Sequence, residues 1–184
     1  GNSSGNAPGE IGVFWFGQTV AFPRADIILV GAPRARRQGI GARSGAVYAF
    51  NGSSYRQIHR LEPPDPEQHA RFGAAIAARE LPDGRVHLLV GAPGAGAGIP
   101  FVATPRFGAV YQHSFDVANN ELLTESGSSD VNSAWPPRLV GPAEFWENSD
   151  FGATIAYEVT TGLGLIGAPR GFTERGATAG GARF

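Results

Sequence analysis

The side chains that could carry catalytic chemistry are few in this chain of 184 residues. Four histidines are present, and each lies in a segment predicted as strand or turn: His59, His69, His87 and His113. No Gly-x-Ser-x-Gly elbow supplies a serine nucleophile, and no His-x-x-x-His or His-Glu pair offers the spacing of metal ligands. Cysteine and lysine are absent, which excludes thiolate nucleophiles, thiolate zinc sites, disulfides and lysine-dependent phosphate loops. We therefore expect no enzymatic activity.

Carboxylates are also sparse. The densest group, Glu62, Asp65 and Glu67, alternates with prolines, and we interpret it as a surface connector rather than an acid–base pair. A calcium ion needs about six to eight oxygen ligands, usually from clustered carboxylates and carbonyls. Asp26 and Asp83 lie in loops without such a cluster, so we interpret them as a strand-entry residue and a turn residue. We expect neither a cofactor nor a metal site.

Arginine supplies every basic side chain. The chain has 15 basic and 16 acidic residues, so its formal net charge is −1. This charge does not create the positive field that a nucleic-acid binder or a polybasic membrane anchor needs. One stretch is nevertheless rich in arginine and contains no acid: Arg34, Arg36, Arg37 and Arg43. It is either a solvated loop or a cationic face that receives an acidic protein partner or a sulfated or uronic glycan.

Three segments of the chain repeat one ordered set of short motifs. A Phe-Gly pair occurs three times: Phe16-Gly17, Phe72-Gly73 and Phe151-Gly152. A Gly-Ala-Pro triplet follows each pair at offsets of 15, 19 and 16 residues: Gly31-Ala32-Pro33, Gly91-Ala92-Pro93 and Gly167-Ala168-Pro169. A third motif begins with Gly-Ala-Val-Tyr at 45–48 and 108–111 and with Gly-Ala at 181–182. The order and spacing indicate three copies of one structural unit.

The motifs lie on predicted short β-strands. The apolar runs 27–30 and 86–90 predict buried strands that end at Gly-Ala-Pro, since small residues allow close backbone approach and proline ends a ladder. The Pro-Asp-Gly sequence within 81–85 predicts a hairpin turn, and 55–61 supplies a fourth strand. No segment keeps a helical period, apart from a possible short turn at 65–70. We expect an all-β fold of propeller-type blades with about four antiparallel strands each, the alternative being a β-sandwich.

The Phe-Gly and Gly-Ala-Pro motifs resemble FG-GAP repeats over about residues 11–184. This resemblance implies the β-propeller blades of integrin α subunits and of many surface proteins. It also implies a noncatalytic extracellular or cell-surface module for protein–protein interaction, adhesion or structural assembly. The alternative is an accessory glycan-binding or scaffold domain of a secreted hydrolase. The Asp-x-Asp-x-Asp-Gly calcium loop of many FG-GAP repeats is absent here.

The predicted organisation is a flexible segment at 1–10 followed by the repeat region at 11–184. Its units span about 11–61, 62–140 and 151–184, with an insertion at about 112–150 and a truncated third unit. Propellers use about four to eight blades, so three units are too few to close a ring. We expect an incomplete ring that further blades, another chain or further copies complete.

Two further features bear on partners and localisation. Trp135 and Trp146 lie in the insertion and form either a binding edge or a small satellite core. Asn2 and Asn51 begin N-glycosylation acceptor patterns. No apolar run reaches the roughly 18 to 20 residues of a membrane span.

We expect Phe16, Phe72 and Phe151 to pack equivalently between neighbouring blades.

Overall fold

The computed structural model describes residues 15–36, 43–64, 66–96, 106–116, 121–123, 138–140, 149–158, 164–170 and 182–183. Within these ranges every helix or strand is a β-strand, and the strands form three antiparallel sheets. The all-β class is therefore confirmed. The predicted flexible segment at 1–10 lies outside the described residues.

The first sheet contains the four strands expected for one unit, in the order β1-β2-β3-β4. They are β1 (Thr19–Arg24), β2 (Ile27–Ala32), β3 (Ala46–Asn51) and β4 (Gln57–Leu61). The β2 strand is buried along almost its whole length, as its continuous apolar run predicted. Its final glycine and alanine belong to the Gly-Ala-Pro motif, and Pro33 follows directly after the strand.

The second sheet has five strands, because two short strands follow the third strand of its unit. Its strands are β5 (Ala75–Glu80), β6 (Val86–Ala92), β7 (Ala109–Asp116), β8 (Glu121–Leu123) and β9 (Arg138–Val140). Both β8 and β9 pair with β7. The pair Val110 and Leu139 corresponds to the pair Val47 and Leu61 of the first sheet, so β9 takes the place of β4. The additional residues thus add β8 without displacing the fourth strand.

The predicted hairpin turn joins β5 to β6. The Leu81 N–H donates to the Arg85 carbonyl at 2.7 Å, and Gly84 has the positive φ of 82° that a tight turn favours. Asp83 accepts from the Arg85 N–H at 3.0 Å, which agrees with its interpretation as a turn residue.

The third sheet consists of β10 (Thr154–Tyr157), β11 (Gly164–Gly167) and β12 (Ala182–Arg183). Its first two strands have the register of the other sheets, since Thr154 pairs with Gly167 as Thr19 pairs with Gly31. The last strand differs. Ala182 corresponds to Ala46 of the first sheet, which pairs with the alanine of Gly-Ala-Pro, Ala32. Ala182 instead pairs with Ile166, which stands two residues before the alanine of its own Gly-Ala-Pro. The β12 strand is therefore displaced by two residues relative to the repeat.

The Phe-Gly motif makes the same local turn in all three units. The glycine N–H donates to the carbonyl of the Gly-Ala-Pro glycine at 3.0 Å in each case: Gly17 to Gly31, Gly73 to Gly91 and Gly152 to Gly167. The three donors have φ of 86°, 88° and 85°, a region that favours glycine. The residue before each phenylalanine also has positive φ, between 52° and 61°: Trp15, Arg71 and Asp150. Strain of this kind is held by the surrounding structure.

Neighbouring sheets meet through one interface that occurs twice. Parallel bridges join Gly45 to Phe72 and Gly108 to Phe151. At the first interface a Cβ on Gly31 would collide with the carbonyl oxygen of Gly73, and Gly91 and Gly152 have the same relation at the second. The small residues of the motif thus bring two backbones into contact, as their size predicted.

Phe72 and Phe151 are fully buried, whereas Phe16 is 58% exposed. The Phe16 ring packs only edge-on against Tyr48 and Phe50, with ring centroids at 5.5 and 6.1 Å. The expected equivalence of the three phenylalanines is therefore wrong for Phe16. The physical reason is that no described sheet lies against that side of the first sheet.

We predict unequal effects of alanine at these phenylalanines. Phe72→Ala is expected to lower the free energy of unfolding by about 3 to 5 kcal/mol, because it empties a fully buried site. Phe16→Ala is expected to cost about 1 kcal/mol or less, since water already reaches its ring. Urea denaturation of both variants measures the difference. Equal losses would contradict the difference in burial between Phe72 and Phe16.

Two histidines of the second sheet are neutral near pH 7. Burial, with a smaller contribution from Arg79 and Arg85, lowers the pKa of His87 from its ordinary 6.5 to about 4. The ring of His87 is hydrogen-bonded to the Tyr157 hydroxyl. Burial, followed by the charge of His87, likewise lowers the pKa of His113 to about 4. Neither ring nitrogen of His113 has a hydrogen-bond partner among the described residues.

These shifts predict a loss of stability in mild acid. The two histidines take up protons near pH 6.5 in the unfolded chain and only near pH 4 in the folded chain. Their contribution to the free energy of unfolding is therefore complete above pH 6.5 and falls as the pH decreases towards 4. At pH 5 the loss is about 2 kcal/mol for each histidine. Urea denaturation at pH 7 and pH 5 measures it.

The matched variants are His113→Leu and Phe115→Leu, both on β7. His113→Leu is expected to reduce the difference between the free energies of unfolding at pH 7 and pH 5, because it removes one of the two titrating rings. Phe115→Leu is expected to lower stability equally at both. An unchanged pH dependence in His113→Leu would contradict the assignment.

Candidate anion-binding site

A cavity of about 450 Å³ lies where loops of all three units converge. Five arginines and a single carboxylate are among the described residues that line it: Pro33, Arg34, Arg43, His69, Arg71, Pro93, Gly94, Arg106, Asp150 and Arg170. We call it the arginine cavity. Its lining combines several fixed cations with too few acids to neutralise them.

The repeat explains why these side chains meet. Arg34 and Arg170 directly follow a Gly-Ala-Pro triplet, and Arg71 and Asp150 directly precede a Phe-Gly pair. The hydrogen bond between the two motif glycines fixes both positions at one end of each sheet. Arg43 and Arg106 each stand two residues before the glycine of the third motif. Equivalent positions of different units therefore contribute to a single cavity.

Asp150 lies between two guanidinium groups. Its Oδ1 accepts from Arg71 Nη2 at 2.6 Å, and its Oδ2 lies 3.3 Å from Arg170 Nε. The Asp150 side chain is 18% exposed, whereas that of Arg170 is 71% exposed. The local chemistry of the cavity is thus the binding of a carboxylate by paired arginines.

The remaining three arginines have no acidic partner among the described residues. Arg34 stacks on the Trp15 ring, with its guanidinium carbon 3.7 Å from the ring centroid. The backbone of Arg43 is held by the Gln68 side chain at 3.1 Å and by the His69 N–H at 3.0 Å. These arginines are exposed, and no described carboxylate neutralises them.

The structure brings together two of the four arginines singled out in the sequence. Arg34 and Arg43 line the cavity, Arg36 does not, and Arg37 lies outside the described residues. The Arg36 carbonyl instead accepts a hydrogen bond from Arg60. Sequence reasoning missed three cavity arginines, namely Arg71, Arg106 and Arg170. Their positions next to the repeated motifs were the signal that could have identified them.

The other candidate residues lie elsewhere. Asn51 ends β3, and its side-chain oxygen accepts from the N–H groups of Ser53 and Ser54 at 3.0 and 2.8 Å, so it stabilises a turn. Trp135, Trp146 and Asn2 lie outside the described residues.

Four of the five carboxylates considered in the sequence are engaged in local contacts, and the fifth, Asp65, lies outside the described residues. Asp26 pairs with Arg24 at 2.6 Å and Glu62 pairs with Arg60 at 2.8 Å. The backbone N–H of Arg85 is the main cause that lowers the pKa of Asp83. Glu67 is buried and accepts from the Gly96 N–H.

The described residues contain no group of three or more His, Asp or Glu side chains placed to hold a metal ion. No helix among them has the length and apolar character needed to cross a membrane.

No protein-family model matches the chain, and no curated protein matches it.

Proposed function

We propose that this chain is a noncatalytic, extracellular or cell-surface module of β-propeller type that binds an acidic protein partner through the arginine cavity. The observation that carries the proposal is the convergence of five arginines from three units around a single described carboxylate. The assignment to the cell exterior comes from the resemblance to FG-GAP repeats.

Two features support a propeller arrangement. Each of the first two sheets packs on the next through the same glycine contacts, and the units of a repeat protein likewise pack on their neighbours in the chain. The sheets also follow the chain in order, with the first strands of neighbouring units adjacent to one another. A sandwich does not require the same contact at each step.

The geometry of Asp150 supports a carboxylate ligand. Its pairing with Arg71 and Arg170 is the arrangement that a partner's aspartate or glutamate adopts on entering the cavity. Arg34, Arg43 and Arg106 have no acidic partner among the described residues, and they are the arginines that bind the partner's carboxylate. A volume of about 450 Å³ admits a few side chains of an acidic loop. Such contacts are screened by salt, so the affinity falls as ionic strength rises.

Isothermal titration calorimetry at low salt tests this proposal with an oligoglutamate peptide. Arg43→Gln and Arg106→Gln are each expected to weaken binding about tenfold or more, because a hydrogen bond to a charged group contributes about 1.5 to 3 kcal/mol. Both side chains are exposed and therefore replaceable without loss of core packing.

The matched control is Arg56→Gln, which replaces an exposed arginine that does not line the cavity. It is expected to leave the affinity unchanged, and an oligoglutamine peptide of the same length is expected not to bind. Equal losses of affinity in all three variants would mean that binding depends only on the net charge of the protein, and this would contradict the proposal. Preferential binding of a sulfated or uronic oligosaccharide would instead support an accessory glycan-binding domain.

A further inference from the structure

The first sheet leaves apolar side chains uncovered on β1 and on the turn just before it. Phe16, Val20 and Phe22 are 58%, 50% and 67% exposed. Val20 and Phe22 are two residues apart on one strand and therefore lie on the same side of the sheet. We call these three residues the leading face. Large apolar side chains grouped in this way mark an interaction surface.

The same positions are covered in the other two units. In the second unit Phe72 is fully buried, and Ile76 and Ala78 pack on the core that the first two sheets share. In the third unit Phe151 is fully buried, and Ile155 and Tyr157 pack on the core shared with the second sheet. The chain thus covers this type of surface twice, each time with the preceding sheet.

The third sheet presents the opposite side of that interface without an occupant among the described residues. Leu29 and Leu89 stand two residues before a Gly-Ala-Pro glycine and are 3% and 1% exposed. Leu165 stands at the same position of the third unit and is 51% exposed. Leu165, Thr154 and Gly167 together form what we call the trailing face.

A polar contact is also left open on the trailing face. The Thr19 hydroxyl donates to the Gly73 carbonyl at 2.9 Å, across the interface between the first two sheets. Thr154 corresponds to Thr19 in register and is exposed, and no described residue hydrogen-bonds to its hydroxyl. A Cβ on Gly167 would meet Thr154 but no carbonyl of a further unit, unlike one on Gly31.

The leading face carries the matching carbonyl. Gly17 has the φ of its counterpart Gly73, and nothing lies within 4 Å of the position of its Cβ. Its backbone is therefore already in the conformation that the covered glycines adopt. Both halves of the twice-used interface are present and exposed on one molecule.

We propose that the trailing face binds the leading face of a second copy of this chain. In this contact the Thr154 hydroxyl donates to the Gly17 carbonyl, and Leu165 packs against Phe16. The geometry repeats that of the first and second sheets, where Leu29 and Phe72 share one core cluster. The contact joins two different surfaces, so copies associate head to tail into a ring or a filament.

Sedimentation velocity over a dilution series tests the proposal. The chain is expected to associate in a concentration-dependent manner. Phe22→Glu blocks the leading face and Leu165→Glu blocks the trailing face, so each variant alone is expected to be monomeric. Each retains one intact face, so an equimolar mixture is expected to form a dimer of one copy of each. Circular dichroism verifies that both variants are folded.

The matched control is Tyr55→Glu, which changes an aromatic side chain that is 75% exposed and belongs to neither face. It is expected to associate like the unchanged chain. The proposal would be overturned by a monomeric unchanged chain, by a mixture of the two blocked variants that stays monomeric, or by loss of association in Tyr55→Glu. Association that begins only after removal of residues 1–14 would also overturn it, since that segment would then be the occupant.

Discussion

The close approach of two glycine backbones is the constraint on which the rest of the structure depends. At Gly31 and Gly91 the carbonyl of the next unit occupies the space that a Cβ would need. This approach is possible because the next Phe-Gly glycine turns with positive φ and directs its carbonyl across the interface. The buried phenylalanine beside it then fills the space between the two sheets.

The arginine cavity follows from the same constraint. The hydrogen bond between the two motif glycines places the residue before Phe-Gly close to the residue after Gly-Ala-Pro. In the first unit this produces the stacking of Arg34 on Trp15, and in the third unit the pairing of Arg170 with Asp150. The scaffold determines where these side chains lie, while their types determine the charge. A cationic site thus arises from variable positions that an invariant turn holds together.

The sequence predicted the elements of the fold better than their environment. The apolar run of β2 and the Pro-Asp-Gly turn before β6 are local signals, and the structure confirms both. The burial of Phe16 depends on whether a neighbouring sheet covers it, which its own motif does not encode. Arg71 and Arg106 are far apart in the sequence, so their proximity follows only from the stacking of units. The displacement of β12 is not explained by any feature of the repeat.

Stability in a row of stacked sheets is distributed unevenly, since each unit gains from its interfaces with its neighbours. Among the described sheets the second is in contact with both others and contributes to both of the larger core clusters. The first and third each share one described interface, and their outer sides expose Phe22 and Leu165. Local opening therefore requires less free energy at the two outer sheets than in the middle one. An occupant of either outer side would stabilise that sheet by adding the interface that the second sheet already possesses twice.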